Sequence, residues 1–126
     1  TRKLYLLTSK ETFSAAEDFA YAMKNNQRAT IVGEVTGGGA HPGDTHRLTA
    51  HFMMNVPSGR SISPITKTDW EVVGVQPDIK VTANDALDQA QLIILNDFLK
   101  AEKIQSGKLV WKKVLPNWID QHRVRF

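Results

Sequence analysis

The sequence predicts one α/β domain, and three observations support this fold class. Two apolar runs, at residues 3–8 and 29–34, flank a segment with helical periodicity, as in a strand–helix–strand unit. A second and longer segment with helical periodicity begins near residue 84. The 126 residues are 41% apolar and 23% charged, which suits one folded core rather than a disordered chain or two domains.

The first strand, the first helix and the second strand are predicted from local patterns. Residues 3–8 contain four successive apolar side chains, which indicates a short strand. After Ser14, apolar residues recur at the spacing of one helical face, which predicts a helix that packs on the core. These residues are Ala16, Phe19, Ala20 and Met23. Residues 29–34 are apolar and β-branched, as expected of a buried parallel strand.

The middle of the chain is predicted to alternate between loops and short strands. Residues 36–43, TGGGAHPG, predict a loop, because three successive glycines and a proline disfavour regular structure. Residues 46–56 predict a strand, and a hairpin turn at 57–60 leads into a returning strand at 61–65. A short edge strand is expected at residues 79–81.

The C-terminal third predicts a long helix followed by a basic segment. The helix carries an apolar stripe and is expected to end at Ser106-Gly107. The stripe consists of Ala83, Leu87, Ala90, Ile94, Phe98 and Ala101. Residues 100–126 hold seven basic and two acidic residues, although the whole chain has a net charge of +3. We expect residues 105–126 to form a Trp-containing extension that packs on the domain or on a partner.

The composition argues against several classes of function. The sequence has no cysteine, which excludes disulfides and thiolate metal sites. Its four histidines lack metal-binding spacing, and its triple glycine lacks the phosphate-loop pattern, so we expect neither a metal nor a cofactor. The sequence contains no recognisable nucleic-acid motif and no apolar run of about 18 residues, so neither a nucleic-acid partner nor a membrane span is expected.

Ser14 has a sequence environment that supports two hypotheses. Ser14 and Glu17 form the S-x-x-E capping box, in which each side chain binds an amide at a helix start. Alternatively, a hydroxyl between a strand and a helix lies beside unpaired amides and the positive end of the helix dipole, which suits an acyl-transfer nucleophile. One detail slightly weakens the capping hypothesis. Phe13 could form a hydrophobic staple with an apolar residue in the helix, but that position is occupied by Asp18.

Two further side chains are candidates for proton transfer. His41 lies in the glycine-rich loop and could act as a general base, although a lone histidine in a loop is often a turn or packing residue. Glu71, like Asp44 and Asp69, lies near a predicted turn, where a solvated or turn-capping role is the alternative to catalysis.

Three segments, taken in order, resemble one peptidase family. They are TFSAAE at 12–17, IVGEVTGGGAHP at 31–42 and WEVVGVQPDIKV at 70–81. Residues 3–95 resemble the C-terminal-processing (tail-specific) serine peptidases, in the branch with tricorn-like and interphotoreceptor-retinoid-binding-like proteins. The resemblance implies a ClpP/crotonase-like β-β-α superhelix, in which residues 1–104 would be the C-terminal portion of the catalytic domain.

The resemblance also assigns roles to residues of this chain. Ser14 would be the nucleophile, and its own amide or that of Ala15 would help to form the oxyanion hole. The triple glycine at 37–39 (Gly37, Gly38 and Gly39) would shape the substrate groove. The second amide of the oxyanion hole would come from a segment upstream of residue 1, so the isolated chain is expected to be inactive.

The general base marks a departure from the family pattern. Processing peptidases use a lysine in this loop, and that position is occupied here by Gly39. Because glycine cannot accept a proton, a Ser-Lys dyad is excluded. The base must therefore be His41, Glu71 or a residue outside this chain.

The family resemblance also bears on partners and location. It implies a peptide or protein substrate and a periplasmic or secreted location. Two alternatives stay open: a non-catalytic module of the same fold that binds retinoid-like or other apolar ligands, and a fragment that dimerises through its C-terminal apolar residues.

Overall fold

A small parallel sheet, a hairpin and two helices make up the part of the chain that the structure describes. The computed structural model describes residues 2–105. In chain order the elements are β1 (Tyr5–Thr8), α1 (Ala15–Asn25), β2 (Thr30–Gly33), β3 (Gly43–Arg47), β4 (Met53–Pro57), β5 (Ile79–Lys80) and α2 (Ala86–Gln105). The mixed α/β class predicted from the sequence is therefore confirmed.

The sheet contains three parallel strands in the order β1-β2-β5. Strand β1 pairs with β2 from Tyr5 opposite Thr30 to Thr8 opposite Gly33. Strand β5 pairs with the other edge of β2. The predicted strand–helix–strand unit and the short strand at 79–81 are thus confirmed. Strand β1 ends, and α1 begins, at the same end of the sheet, and Ser14 lies between them.

The core lies on both faces of β2, because successive residues of a strand point to opposite sides. Ile31, fully buried, packs with Ala20 of α1 and with Trp70. Val32, also fully buried, packs instead with Ala86 and Ala90 of α2. The two helices therefore cover opposite faces of the sheet.

Helix α1 buries only part of the face predicted for it. Ala20 is buried and Met23 is half-buried, as predicted, whereas Phe19 is 54% exposed and Ala16 is exposed. Glu17 is buried in place of Ala16, because a carboxylate, rather than an apolar group, anchors the first turn to the glycine-rich loop.

Helix α2 likewise buries only part of its predicted stripe. Ala90 is buried, as predicted, but Leu87 and Phe98 are 54% and 64% exposed, and Ala86, which is not in the stripe, is buried. Small side chains allow a helix to approach a sheet closely, so the alanines face Val32. The predicted helix end at Ser106-Gly107 and the predicted extension after residue 105 lie outside the described residues. Within residues 2–105, neither helix has the length and apolar character needed to cross a bilayer.

The hairpin forms earlier in the sequence than predicted. The prediction of a single strand at 46–56 was wrong, because this region contains parts of two strands. Strands β3 and β4 pair antiparallel, with Gly43 opposite Pro57 and Arg47 opposite Met53. The chain reverses between Leu48 and Phe52, whose backbone groups are joined by a 2.9 Å hydrogen bond. Residues 61–65 do not form the predicted returning strand.

Gly33 permits β1 and β2 to pair closely, which gives a first testable prediction. Its φ is +137°, and a Cβ atom there would collide with the backbone of Thr8. We expect Gly33→Ala to lower the free energy of unfolding by about 3 kcal/mol, from backbone strain and overpacking together. Urea denaturation measures this. Gly59→Ala is the matched control, because its Cβ would approach only the Pro42 side chain, at 3.2 Å, and no backbone atom. Equal losses of stability in the two variants would contradict the prediction.

Candidate functional site

Ser14 lies exposed at the start of α1 in an unusual backbone conformation. Its φ is 54° and its ψ is −121°, which is uncommon for a residue other than glycine. A tight turn after β1, with Thr12 N–H donating to Ser9 O at 3.0 Å, delivers the chain to this point. The strand–turn–helix sequence therefore presents the Ser14 side chain to solvent.

Ser14 and Glu17 form the capping box expected from the sequence, with the Ser14 side chain facing Glu17 N–H and the Glu17 side chain facing Ser14 N–H. The Glu17 half is well formed, since Glu17 Oε2 accepts from Ser14 N–H at 2.8 Å. The Ser14 half is weaker, because the hydroxyl makes no side-chain cap hydrogen bond and Glu17 N–H donates to Ser14 O at 2.8 Å. The capping hypothesis therefore accounts for Glu17, whereas the helix holds the Ser14 hydroxyl only loosely.

The Glu17 carboxylate joins the helix start to the glycine-rich loop. It is fully buried, and it accepts from Gly38 N–H at 2.7 Å and from Gly39 N–H at 2.9 Å. The Thr36 hydroxyl donates to Oε1, the same oxygen that accepts from Gly38 N–H. Burial alone would raise the pKa of Glu17, but these hydrogen bonds outweigh burial and place the pKa below its usual value. Glu17 is therefore an ionised anchor.

The same contacts determine which backbone amides can meet a ligand. The N–H groups of Ser14, Gly38 and Gly39 all donate to Glu17. The Ala15 N–H, by contrast, has no hydrogen-bond partner among the described residues. Between the two amides that the sequence left open, the one with an unused proton is that of Ala15.

Residues 70–75 hold the glycine-rich loop from another direction. Trp70 Nε1 donates to Gly39 O at 3.1 Å, and Val72 N–H donates to Gly38 O at 2.9 Å. Val75 N–H donates to the Thr36 hydroxyl at 2.7 Å. The loop is therefore fixed by protein contacts on both its N–H and its C=O groups.

His41 and Glu71 lie together at the end of this loop. Their closest side-chain atoms, His41 Nδ1 and Glu71 Oε1, are 3.6 Å apart, and each side chain is about one-third exposed. The other carboxylate oxygen of Glu71 accepts from Ala40 N–H. The fold thus brings together two candidates that are 30 residues apart in sequence, and a carboxylate beside an imidazole can orient it.

Sequence reasoning missed the importance of two polar residues. Glu17 was considered only as half of a capping box, and Thr36 only as the first residue of a loop. In the structure both are buried, and their side chains hydrogen-bond to each other. The S-x-x-E spacing was the available signal for Glu17, but spacing within one helix cannot reveal a partner some 20 residues away.

A comparison with protein families identifies the relationship. The model of peptidase family S41 matches residues 1–81, well over half of the chain. This chain belongs to peptidase family S41. The predicted relationship to the C-terminal-processing serine peptidases is confirmed.

Solved structures of S41-type proteases are similar to this chain. One is a photosystem II D1 C-terminal processing protease, at 30% identity over 64% of this chain and 21% of that one, with a TM-score of 0.55. Mature CPAF matches at 26% identity over 68% of this chain and 17% of its own, with a TM-score of 0.56.

CPAF complexed with lactacystin shares the fold, with a TM-score of 0.59 at 24% identity, over 77% of this chain and 19% of its own. The chain thus spans about a fifth of the length of these S41-type structures.

Proposed function

We propose that this chain is the C-terminal portion of the catalytic domain of a serine-type endopeptidase, with Ser14 as the nucleophile. The observation that supports this most directly is the exposed Ser14 hydroxyl, which makes no side-chain cap hydrogen bond, beside the unused Ala15 amide. The substrate would be a peptide or protein, and the complete domain would have the ClpP/crotonase-like superhelix.

In the proposed reaction, Ser14 Oγ attacks the carbonyl carbon of a peptide bond and passes its proton to a base. The negative charge that develops on the carbonyl oxygen is stabilised by the Ala15 N–H and by the positive end of α1. The amine then leaves with a proton, and water releases the acyl group from Ser14. Because a second oxyanion donor is expected from outside this chain, we do not expect the chain alone to hydrolyse peptides.

For the base, we propose the imidazole that Glu71 orients. Within this chain that imidazole is His41, at 3.6 Å from the Glu71 carboxylate. Gly39, at the lysine position of the family, offers no proton acceptor. A base from elsewhere in the longer S41 domain is the alternative, and the variant His41→Gln distinguishes the two in the experiment below.

The other functions considered receive less support. Neither an apolar-ligand module nor a dimerising fragment is favoured by a specific contact among residues 2–105, and we do not propose them. A location outside the cytoplasm belongs to the proposal, because it follows from the family resemblance.

The test is covalent labelling of the parent protein, which is expected to supply the second oxyanion donor, by a fluorophosphonate: Ser14 Oγ bonds to phosphorus and fluoride leaves. We expect Ser14 to be labelled, Ser14→Ala to lose the label and the neighbouring Ser9→Ala to keep it. Intact-mass spectrometry with peptide mapping locates the label. If Ser14→Ala is labelled as fast as the original sequence, the proposed nucleophile is wrong. If His41→Gln is labelled at an unchanged rate, the base lies elsewhere.

A further inference from the structure

Phe13 is an exposed aromatic residue directly before the proposed nucleophile. It is 58% exposed, although burying a phenylalanine side chain typically contributes about 1.5–3 kcal/mol. Its position before the helix is that of a hydrophobic staple, but the facing residue of the helix is Asp18, which is charged and exposed. Stapling of the helix therefore does not account for this side chain.

The Phe13 ring lies against the backbone of the glycine-rich loop. A Cβ atom on Gly37 would come within 2.7 Å of Phe13 Cδ2. A Cβ atom on Gly39 would overlap the end of the ring, lying 2.7 Å from Cε2 and 2.8 Å from Cε1. The ring thus occupies the space that side chains at 37 and 39 would fill.

The contacts of Glu17 place this ring beside the Ser14 site. Glu17 Oε2 accepts from Ser14 N–H at 2.8 Å and from Gly39 N–H at 2.9 Å, so the two amides converge on one atom. The ring, Ser14 and Gly39 are therefore neighbours. Val72, an apolar residue that is 84% exposed, lies next to the same loop, since its N–H donates to Gly38 O.

We propose that Phe13 forms an aromatic subsite beside Ser14 that binds an apolar side chain of the substrate next to the scissile bond. The inference rests on the proposed function and specifies its substrate class. Two glycines leave room for the ring, the protein covers part of it, and the rest faces solvent where a peptide would approach Ser14. An aromatic or aliphatic side chain that covers the ring gains burial and favourable ring contacts.

Peptide binding to the Ser14→Ala chain tests the subsite without chemistry. Two acetylated, amidated pentapeptides are compared, Ala-Ala-Phe-Ala-Ala and Ala-Ala-Ser-Ala-Ala, and their Kd values are measured from the NMR shifts of the Gly37 and Gly39 amides. We expect the Phe peptide to bind more tightly. Adding Phe13→Ala should weaken the Phe peptide about tenfold and leave the Ser peptide unchanged, since a lost ring contact is worth about 1.4 kcal/mol.

Matched variants keep this test decisive. Phe19→Ala removes another exposed phenylalanine, 54% exposed, from helix α1 and should change neither Kd. Phe13→Leu keeps an apolar side chain and should weaken the Phe peptide about threefold, which covers the case that Phe13→Ala fails to fold. The proposal is overturned if neither peptide binds, if Phe13→Ala weakens both equally, or if it behaves like Phe19→Ala.

The outcome is separable from that of the proposed function. Selective, Phe13-dependent binding without fluorophosphonate labelling of Ser14 would retain the subsite and reject the nucleophile. Labelling of Ser14 without any difference between the Phe13 and Phe19 variants would retain the nucleophile and reject the subsite.

Discussion

Glu17→Gln is expected to lower the free energy of unfolding by about 3 kcal/mol, because it breaks a buried charged hydrogen-bond network. The Glu17 carboxylate is fully buried and accepts from three backbone amides and the Thr36 hydroxyl. A glutamine would direct its NH2 group at donors that need an acceptor, and buried donors without partners are costly. Urea denaturation at pH 7 measures the loss. Asp18→Asn, one residue along and exposed, should cost about 0.5 kcal/mol.

The stability of the chain in acid should also depend on the Glu17 carboxylate. Its pKa is lowered in the folded chain, so its stabilisation is complete above the ordinary value of 4.5. That stabilisation is lost as the pH falls from 4.5 through the lower folded pKa, because the unfolded state then binds the proton more readily. The original chain should therefore lose more stability than Glu17→Gln in this range. Parallel curves for the two proteins would contradict the assignment of Glu17 as an ionised anchor.

Replacing the Ala15 amide by an ester should slow fluorophosphonate labelling of Ser14 about 100-fold to 1,000-fold, the usual cost of one oxyanion donor. The α-hydroxy analogue of alanine removes the N–H and leaves the side chain unchanged. The N–H itself has no partner among the described residues. The ester also weakens the Ser14 carbonyl, which accepts from Glu17 N–H at 2.8 Å and from Asp18 N–H at 3.0 Å, so stability should fall by about 1 kcal/mol. The rate of labelling and the urea midpoint are both measured.

The same ester placed at Ala16 provides the control. The Ala16 N–H donates to Phe13 O at 3.2 Å, so the ester should cost about 1 kcal/mol of stability. Its labelling rate should change little. An Ala15 ester that labels at the normal rate would mean that the oxyanion is held by other donors.

The parts of the fold that sequence predicted well depend on neighbouring residues. Strands β1 and β2 are short apolar runs and the triple glycine excludes regular structure, so local pattern was sufficient. The hairpin was misplaced because all residues of β3 and β4 are exposed in the structure, and no alternation between buried and exposed positions marks where they begin.

The candidate site was predictable in part for the same reason. Ser14 and Ala15 follow from the junction of a strand and a helix, and family resemblance strengthened the case for them. Glu17 could not be recognised as an anchor, since its partners Thr36, Gly38 and Gly39 are brought to it by the crossover from α1 to β2. The pairing of His41 with Glu71 likewise depends on the return of the chain after the hairpin.

The bonding of the glycine-rich loop limits how a peptide can be held near Ser14. Gly38 and Gly39 direct both their N–H and their C=O groups to other parts of the protein. A bound peptide therefore cannot extend the sheet by pairing its main chain with these two residues. The loop can serve as a rigid wall against which side chains rest, and the main chain of the substrate needs a separate edge to align it.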